Sequence, residues 1–159
     1  MSIDKVKEYF KQYGIEDKIL EFPVSSATVE LAAQALNTDG CRIAKTLSFS
    51  VNGSPILIVT AGDAKVDNKK YKTCFGAKAK MLTPDEVVEK IGHAIGGVCP
   101  FAINDGVKVY LDESIKRFET VFPACGSSNS AIELTPEELE KYSSFFVKWV
   151  DVYKLPELE

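Results

Sequence analysis

Apolar residues recur at helical spacing near the start of the chain, where they predict an amphipathic helix over residues 2–13 that Gly14 closes. The apolar face of this helix consists of Ile3, Val6, Tyr9 and Phe10. A second helix is predicted to begin after residues 25–28, whose hydroxyl groups offer an N-cap, and to run to about Leu36. A short apolar run at 19–24 predicts a strand between the two helices.

The clearest strand signal in the sequence is a β-hairpin. Alternating apolar and polar residues predict a strand over 43–51, and the apolar run 55–61 predicts its partner. The intervening Asn-Gly-Ser segment at 52–54 is typical of a tight hairpin turn. Further short strands are predicted at 80–82, 107–111, 120–124 and 131–134, and 147–153 fits either a last strand or a loop.

Two Thr-Pro-acid-Glu segments indicate where later helices begin. In Thr83–Glu86 and again in Thr135–Glu138, threonine supplies the N-cap, proline takes the first helical position and glutamate completes a capping box. A lysine-rich helix over 67–75 is predicted to follow the hairpin. Because helices and strands interleave and a hairpin also occurs, the sequence predicts a single α/β domain over residues 1–159 with a mixed sheet.

Composition places the chain among globular domains and argues against a membrane protein. It has 159 residues, of which 45% are apolar and 26% charged, enough for one sizeable core. No apolar run approaches the roughly 20 residues that a membrane-spanning helix needs. The first residues carry charges and lack the apolar stretch of a secretory signal, so we expect a cytoplasmic protein without a membrane partner.

Charge is distributed unevenly along the sequence. A net charge of −4 is not typical of a general nucleic-acid-binding protein. Between residues 63 and 80, however, six lysines accompany only two acids. These lysines are Lys65, Lys69, Lys70, Lys72, Lys78 and Lys80. The basic stretch fits either a solvated face or a surface that docks an anionic partner.

The four cysteines do not form a metal-binding pattern. Cys41, Cys74, Cys99 and Cys125 lie 25 to 33 residues apart, so the close pairs of zinc sites or thioredoxin-like motifs do not occur. We therefore expect free thiols, with no metal site and no cofactor.

Lys45 is the most informative position in the sequence. Because side chains alternate along a strand, it shares a face with the apolar residues Ile43, Leu47, Phe49 and Val51. Lysine is seldom buried without a partner, since removing its charge from water is unfavourable. The side chain is therefore expected to reach solvent at the strand's end, to pair with a buried acid, or to line a cleft that receives an anionic or carbonyl-bearing ligand.

Two loops have compositions that suit a ligand pocket. Residues 92–101 contain the adjacent pair Gly96-Gly97, which lets the backbone approach a ligand closely, and Pro100 stiffens the exit. This loop matches neither glycine-rich phosphate-binding motif, and a plain turn explains it equally well. The segment 124–130 is small and hydroxyl-rich, which fits either a tight turn or the polar wall of a pocket.

The usual catalytic sets are largely missing from the sequence. A Ser-His-Asp or Cys-His arrangement would have to use His93, the only histidine, and no nucleophile-elbow motif occurs. We expect His93 to be structural or exposed rather than a base. A cysteine-dependent hydrolase would use Cys99 on the glycine loop as its nucleophile. Without such a nucleophile, hydrolysis would depend on a positioned water, backbone groups and the lysine charge.

Three segments form a combined signature along the chain. They are Arg42–Leu47, Gly96–Phe101, and Gly126 leading to the Ile-Glu-Leu run at 132–134. In order and spacing these segments resemble the YbaK/EbsC/ProX family, aminoacyl-tRNA deacylases related to the editing domain of bacterial prolyl-tRNA synthetase. The resemblance spans roughly residues 20–140. It implies a single α/β domain with a mixed, largely antiparallel, barrel-like sheet surrounded by helices.

The resemblance implies trans-editing, the metal-free hydrolysis of the ester that joins a wrong amino acid to the 3′ adenosine of a tRNA. Lys45 and Gly97 match the family's catalytic positions: the lysine contacts the 3′-terminal backbone, and the loop of the glycine positions water or substrate near the carbonyl. The residues expected to bind the substrate are Thr46, Gly96, Val98, Cys99, Pro100, Phe101, Gly126, Ser127 and Ser130. The residues expected to contact the tRNA are Lys65, Lys69, Lys70 and Lys72.

Two departures from the family's pattern leave the amino-acid preference open. Many relatives have glycine where this chain has Ala102, and some have histidine or aspartate where it has Ser130 and Ala131. The expected partners are the 3′ acceptor end of an aminoacyl-tRNA, with tRNA-Pro carrying a small amino acid favoured, and prolyl-tRNA synthetase. The alternative is a non-catalytic module that binds tRNA ends or nucleotides, or an adaptor that docks on a synthetase.

Overall fold

A five-stranded mixed sheet, curled into a half-barrel and flanked by helices, forms the centre of the computed structural model, which describes residues 2–23 and 28–155. Within those residues the strands are β1 (Leu20–Glu21), β2 (Ile43–Val51), β3 (Ser54–Ala61), β4 (Lys65–Val66), β5 (Lys108–Asp112), β6 (Phe122–Pro123), β7 (Ser130–Ala131), β8 (Phe146–Val150) and β9 (Tyr153–Lys154). The α-helices are α1 (Ser2–Lys11), α2 (Val29–Leu36), α3 (Asn68–Phe75), α4 (Pro84–Glu86) and α5 (Pro136–Tyr142). A π-helical turn at Val87–Ile91 continues α4, and 3-10 turns lie at Glu16–Lys18, Gly40–Arg42 and Glu113–Arg117.

Helix boundaries follow the local sequence signals. Both capping boxes are present, with Thr83 and Thr135 each accepting the bond from the third helical residue. Thr28 caps α2, which ends at Asn37 in the left-handed conformation. Residues 24–27, which include the rest of the predicted cap, lie outside the described residues. Within the described ranges, no helix combines the length and apolar character needed to cross a bilayer.

The main sheet has the strand order β6-β2-β3-β5-β8. Its β2 and β3 strands form the predicted antiparallel hairpin, with Lys45 opposite Thr60. The other three pairings, β2–β6, β3–β5 and β5–β8, are parallel. The mixed sheet is thus confirmed, but its pairings are not largely antiparallel. The reason is that β5, β6 and β8 enter the sheet after long crossovers, which leave no turn signal in the sequence.

Several predicted strands are present but short. The segments predicted at 120–124 and 131–134 contribute β6, β7 and one bridge between Val121 and Leu134. Met81 forms a single bridge to β2 where another short strand is predicted. The ambiguous segment near the end of the chain provides β8, which lies at one edge of the main sheet.

Apolar side chains cover both faces of the main sheet. A large cluster, which includes Ala44 and Val109, packs between the sheet and the helices α1 and α5. A second cluster, which includes Phe49, packs beneath α3 through Tyr71. β2 is partly exposed at 45–47, although the residues on either side of that stretch are buried. Residues 45–47 are therefore a partly exposed stretch of β2 between buried residues.

Candidate active site

The outer edge of β2 is open for three residues. β6 pairs with this edge up to Ala44, and the chain around Met81 pairs with it again from Ser48 onward. Between these two contacts, none of the described strands pairs with the edge at 45–47. On this outer side the Ser48 carbonyl accepts a 3.1 Å hydrogen bond from the Leu82 N–H. Because backbone groups alternate in direction along an antiparallel strand, the N–H and C=O of Thr46 also point into the opening.

A cleft of about 300 Å³ lies at this opening. Its walls come from α2, β2, β6, β7 and the glycine loop at 92–101. The predicted site residues that line it are Lys45, Thr46, Gly96, Val98 and Ser130. Most of the remaining wall is apolar, so the polar groups are concentrated along β2 and at β7. Mostly apolar clefts with a few convergent polar groups are typical of small-molecule sites.

Lys45 brings a positive charge to the cleft. The side chain is partly buried, and within the described part of the chain no hydrogen bond or ion pair occupies its ammonium group. Burial lowers the pKa of Lys45; Asp63 and Glu30 oppose this decrease, whereas Lys65 adds to it. An anionic ligand would offset the loss of hydration, because opposite charge favours the protonated form. Of the three arrangements considered for Lys45, the structure shows the cleft-lining one.

Two residues that line the cleft, Thr46 and Ser130, carry hydroxyl groups. Thr46 Oγ1 is buried and has no hydrogen-bond partner among the described residues. A buried hydroxyl in that state is unfavourable unless water or a ligand bonds to it. Ser130 lines the cleft, and its hydroxyl is 2.7 Å from the hydroxyl of Ser127. Ser127 therefore does not line the cleft, but its hydroxyl donates a hydrogen bond to the cleft-lining Ser130.

The two predicted loops pack against each other through glycine. A Cβ on Gly97 would lie 2.6 and 2.7 Å from the backbone of Gly126 and 2.7 Å from that of Ser127, so no larger residue fits. Gly126 has a φ of +91°, and its α-carbon packs in the same way against Ser2 and Ile3 of α1. Gly97, predicted as a catalytic position, is buried and does not line the cleft. The stacked contacts fix the position of its cleft-lining neighbours.

Three residues predicted to bind the substrate are buried behind the cleft. Cys99 and Phe101 belong to the large apolar cluster, and Pro100 is buried between them in the sequence. Because these side chains face the core, we reassign them from contacting a substrate to supporting the loop. Burial raises the pKa of the Cys99 thiol to about 12. The thiol therefore stays protonated at neutral pH and is a poor nucleophile.

The lysines predicted to contact tRNA lie on β4 and α3. Lys65, Lys69 and Lys72 are exposed, and Lys70 pairs with Asp151 at 3.0 Å. None of the four lines the cleft. Lys65 is near enough to Lys45 for its charge to affect the pKa there. The basic surface therefore begins beside the cleft and continues along α3.

Sequence reasoning missed the apolar wall and the rim of the cleft. Val29 and Ala32 of α2 and Phe122 of β6 form much of the wall. Met81 and Ile95 line the rim and are 55% and 63% exposed, which is high for large apolar side chains. These residues come from separate parts of the chain, so no spacing rule connects them. Their shared position depends on the tertiary structure alone.

Together, fold and site define a class of protein: an α/β half-barrel domain with a cleft suited to an anionic or carbonyl-bearing ligand. Residues 24–142 match the aminoacyl-tRNA editing domain. The chain therefore belongs to the aminoacyl-tRNA editing family, which confirms the resemblance to YbaK/EbsC/ProX proteins.

Individual relatives are of two kinds. The chain is 57% identical over 155 residues to the uncharacterized protein YwhH of Bacillus subtilis (strain 168), a match that covers 97% of this chain and 98% of that protein. It is 33% identical over 104 residues to the proline–tRNA ligase of Halalkalibacterium halodurans (strain ATCC BAA-125 / DSM 18197 / FERM 7344 / JCM 9153 / C-125), which covers 65% of this chain and 18% of the ligase. The solved structure of a candidate trans-editing enzyme for prolyl-tRNA synthetase has a TM-score of 0.86 and 30% identity, over 96% of this chain and 97% of that chain. The similarity thus extends both to separate chains and to a segment of a much longer ligase.

Proposed function

We propose that the protein is an aminoacyl-tRNA deacylase that acts in trans on a mischarged tRNA, with tRNA-Pro carrying a small amino acid as the substrate. The observation that carries this proposal is Lys45, a partly buried cation without a protein partner among the described residues, in the cleft of an editing-domain fold. The 3′ end of an aminoacyl-tRNA offers both a phosphate charge and an ester carbonyl to such a cleft.

Hydrolysis at this site needs positioning rather than a nucleophilic side chain. Water attacks the ester carbonyl carbon, the bond from that carbon to the adenosine oxygen breaks, and a proton from the water passes to the leaving oxygen. In the proposal, Lys45 holds the 3′-terminal phosphate backbone and thereby orients the ester. The backbone groups of Thr46 and Gly96 are available to the water and to the developing oxyanion. The mechanism we propose uses no metal ion.

The size of the cleft supports a small amino acid. The volume of about 300 Å³ has to accommodate the ester together with the acyl side chain. Val29, Ala32 and Ala131 form part of the wall, and an aromatic acyl side chain would compete with them for the same space. Acyl groups of about the size of alanine are therefore the expected class.

A deacylation screen tests the proposal directly. The wild-type protein is incubated with tRNAs esterified with each small amino acid, including mischarged tRNA-Pro, and release of the amino acid is followed. We expect turnover on at least one mischarged tRNA-Pro, and a loss of roughly 100-fold or more in kcat/KM for Lys45→Ala, comparable with removal of a key electrostatic group elsewhere. Lys148→Ala, an exposed lysine of β8, is the matched control and should keep the wild-type rate.

Two other outcomes separate the alternatives. Binding of the charged tRNA end without hydrolysis of any ester would contradict the deacylase and support a non-catalytic module or a synthetase adaptor. A large loss of rate in Cys99→Ala with normal stability would instead support a cysteine-dependent hydrolase. We expect Cys99→Ala to keep its rate, because the thiol is buried and protonated.

A further inference from the structure

His93, the only histidine in the sequence, is buried inside the glycine loop. Its side chain is 1% exposed, and its Nε2 lies 2.8 Å from the carbonyl oxygen of Phe101, eight residues further along the chain. The imidazole therefore joins the two ends of the loop. The cleft-lining residues Gly96 and Val98 lie between those ends.

The hydrogen bond determines which form of the imidazole fits. A carbonyl oxygen can only accept, so Nε2 carries the proton and Nδ1 of the neutral ring has none. Nδ1 is buried and has no hydrogen-bond partner among the described residues. Protonation of the ring would place a second N–H where no acceptor of the described chain is available, which is unfavourable. The loop therefore fits the neutral ring with its proton on Nε2.

The surroundings hold the rest of the loop in place. Lys5 Nζ and Ser2 Oγ of α1 donate to the Gly92 carbonyl, over 3.1 and 3.4 Å. On the other side, the backbone of Gly97 packs against Gly126. The segment between Gly92 and Phe101 is thus fixed from outside at its first residue and its middle. At its far end, His93 bonds to the Phe101 carbonyl, and the Ser144 N–H donates to the Pro100 carbonyl over 2.8 Å.

We propose that His93 is a positioning residue for the proposed deacylase: its bond to the Phe101 carbonyl holds Gly96 and Val98 in the cleft. The loop is built for the neutral ring, because a protonated ring keeps this bond but buries a second N–H at Nδ1 without an acceptor among the described residues. This inference rests on the proposed function for its kinetic consequence. Its structural content, the tautomer and the loop position, does not depend on that function. His93 does not line the cleft and needs no contact with the substrate.

The charged and titratable groups around the ring all disfavour protonation or are neutral. Lys5 of α1 faces His93 with a positive charge, and Cys99, whose Sγ is 3.6 Å from Nε2, is a neutral thiol. Tyr9 of α1 faces Cys99, and burial raises its pKa to about 12, so it is also neutral. Burial lowers the pKa of His93, and the positive charge of Lys5 lowers it further, whereas the hydrogen bond to Phe101 acts to raise it. The unfolded chain therefore binds a proton near pH 6.5 while the folded loop resists it, so loop stability falls as the pH decreases below that value.

Two substitutions separate the hydrogen bond from the ring itself. A glutamine side chain at this position would place an amide N–H close to the position of Nε2 but does not titrate. His93→Gln should therefore keep kcat/KM within about threefold at pH 7.5. It should also lose the decrease in kcat/KM that the wild type shows as the pH falls below 6.5. His93→Leu keeps the apolar volume but removes the donor, so kcat should fall about tenfold or more with a smaller change in KM. Ile58→Ala, a core substitution on β3 in the second apolar cluster, should lower stability without changing the pH profile. The inference is overturned if His93→Leu keeps the wild-type kcat, or if His93→Gln shows the full acid decline.

NMR of the untagged protein with ¹⁵N-labelled histidine tests the inference without any turnover. Because the chain has one histidine, its imidazole signals need no assignment. We expect a neutral ring protonated at Nε2 and a titration midpoint of the ring below pH 6.5. The backbone amide chemical shifts of Gly96 and Val98 should follow this titration. They should be altered in His93→Leu but not in His93→Gln. An Nδ1-protonated ring or a midpoint at or above 6.5 would reject the inference. If these spectra are as expected and no ester is hydrolysed, the proposed function fails while the positioning of the loop stands.

Discussion

At the scale of single residues, the ionisation of Lys45 reports on the cleft. Burial and the charge of Lys65 both favour its neutral form, and Asp63 opposes them. An anionic ligand beside the ammonium acts in the opposite direction and stabilises the charge. Ligand affinity and the protonation of Lys45 are therefore linked, and the charge must be lost at a lower pH than in an exposed lysine.

We expect the affinity for a non-hydrolysable amide analogue of an aminoacylated tRNA 3′ end to decrease as the pH rises through the pKa of Lys45, which lies below 10.5. Removing a like charge raises a neighbouring lysine's pKa, so Lys65→Ala should move this decrease to higher pH even if it weakens binding overall. Titrations of fluorescence anisotropy from pH 7.5 to 10 measure both effects. Lys148→Ala should leave the midpoint unchanged, and a pH-independent affinity would contradict the role of Lys45.

Ala102, which follows the buried Phe101, has a left-handed backbone with a φ of +54°. Left-handed backbone is unfavourable for any residue with a Cβ, whereas glycine adopts it at little cost. We expect Ala102→Gly to raise the free energy of unfolding by about 0.5–1 kcal/mol, since the relief of strain exceeds the added freedom of the unfolded chain. Urea denaturation measures it. Ala35→Gly, at an exposed helical position in α2, should lower stability by about 0.5–1 kcal/mol instead.

How far the site can be predicted from the sequence differs between its two halves. Alternation along a strand is regular, so the pattern of 43–51 is enough to single out Lys45. Loops have no such period. The sequence could not show that Val98 faces the cleft while Cys99 and Phe101 face the core, because that depends on how α1 and Gly126 pack against the loop.

At the scale of elements, local signals specify the helices and one hairpin, and distant pairings specify the cleft. Capping boxes and the Asn-Gly turn act within a few residues, so the sequence predicts them well. The parallel pairings of β5, β6 and β8 join segments far apart in the chain, and no local residue pattern encodes them. The opening in β2 exists because β6 ends at Pro123, and this is visible only in the folded sheet.

The contact between the two loops gives a test at the same scale. In Gly97→Ala the new Cβ would meet the Gly126 backbone at 2.6 Å, and backbone cannot move aside as a flexible side chain does. We expect a loss of about 1–3 kcal/mol in stability, as for overpacked cores, and a loss of activity greater than tenfold because the cleft-lining loop is displaced. Gly106→Ala, where a Cβ meets open space at a φ of +89°, should cost about 1–2 kcal/mol through strain alone and retain full activity. Equal activities in the two variants would refute the positioning of the loop by this contact.

At the scale of the whole molecule, the net charge conceals two regions of opposite sign. The lysines of β4 and α3 lie in one stretch of chain, whereas residues from Glu133 onward contain seven acids and three lysines. In the fold the two stretches meet where β9 pairs with β4 and Asp151 pairs with Lys70, while Lys65, Lys69 and Lys72 remain exposed to attract an anionic partner. Because Lys65 is close to Lys45, a polyanion on α3 can extend one end into the cleft. A weakly held tRNA end is compatible with an acidic protein for this reason.

Charge reversal on α3 tests this arrangement. Binding of a polyanion releases counterions, so each lysine–phosphate contact contributes about 0.7–0.9 to the slope of log affinity against log salt. We expect Lys69→Glu to weaken tRNA binding and to flatten that slope by at least this amount. Lys70→Glu should do so less, because Lys70 already pairs with Asp151 at 3.0 Å. The single variants Lys108→Glu on β5 and Lys148→Glu on β8 each make the same change in net charge as Lys69→Glu, and each should weaken binding only slightly with the slope unchanged. If all of these variants lower affinity equally, net charge alone governs binding and α3 is not the docking surface.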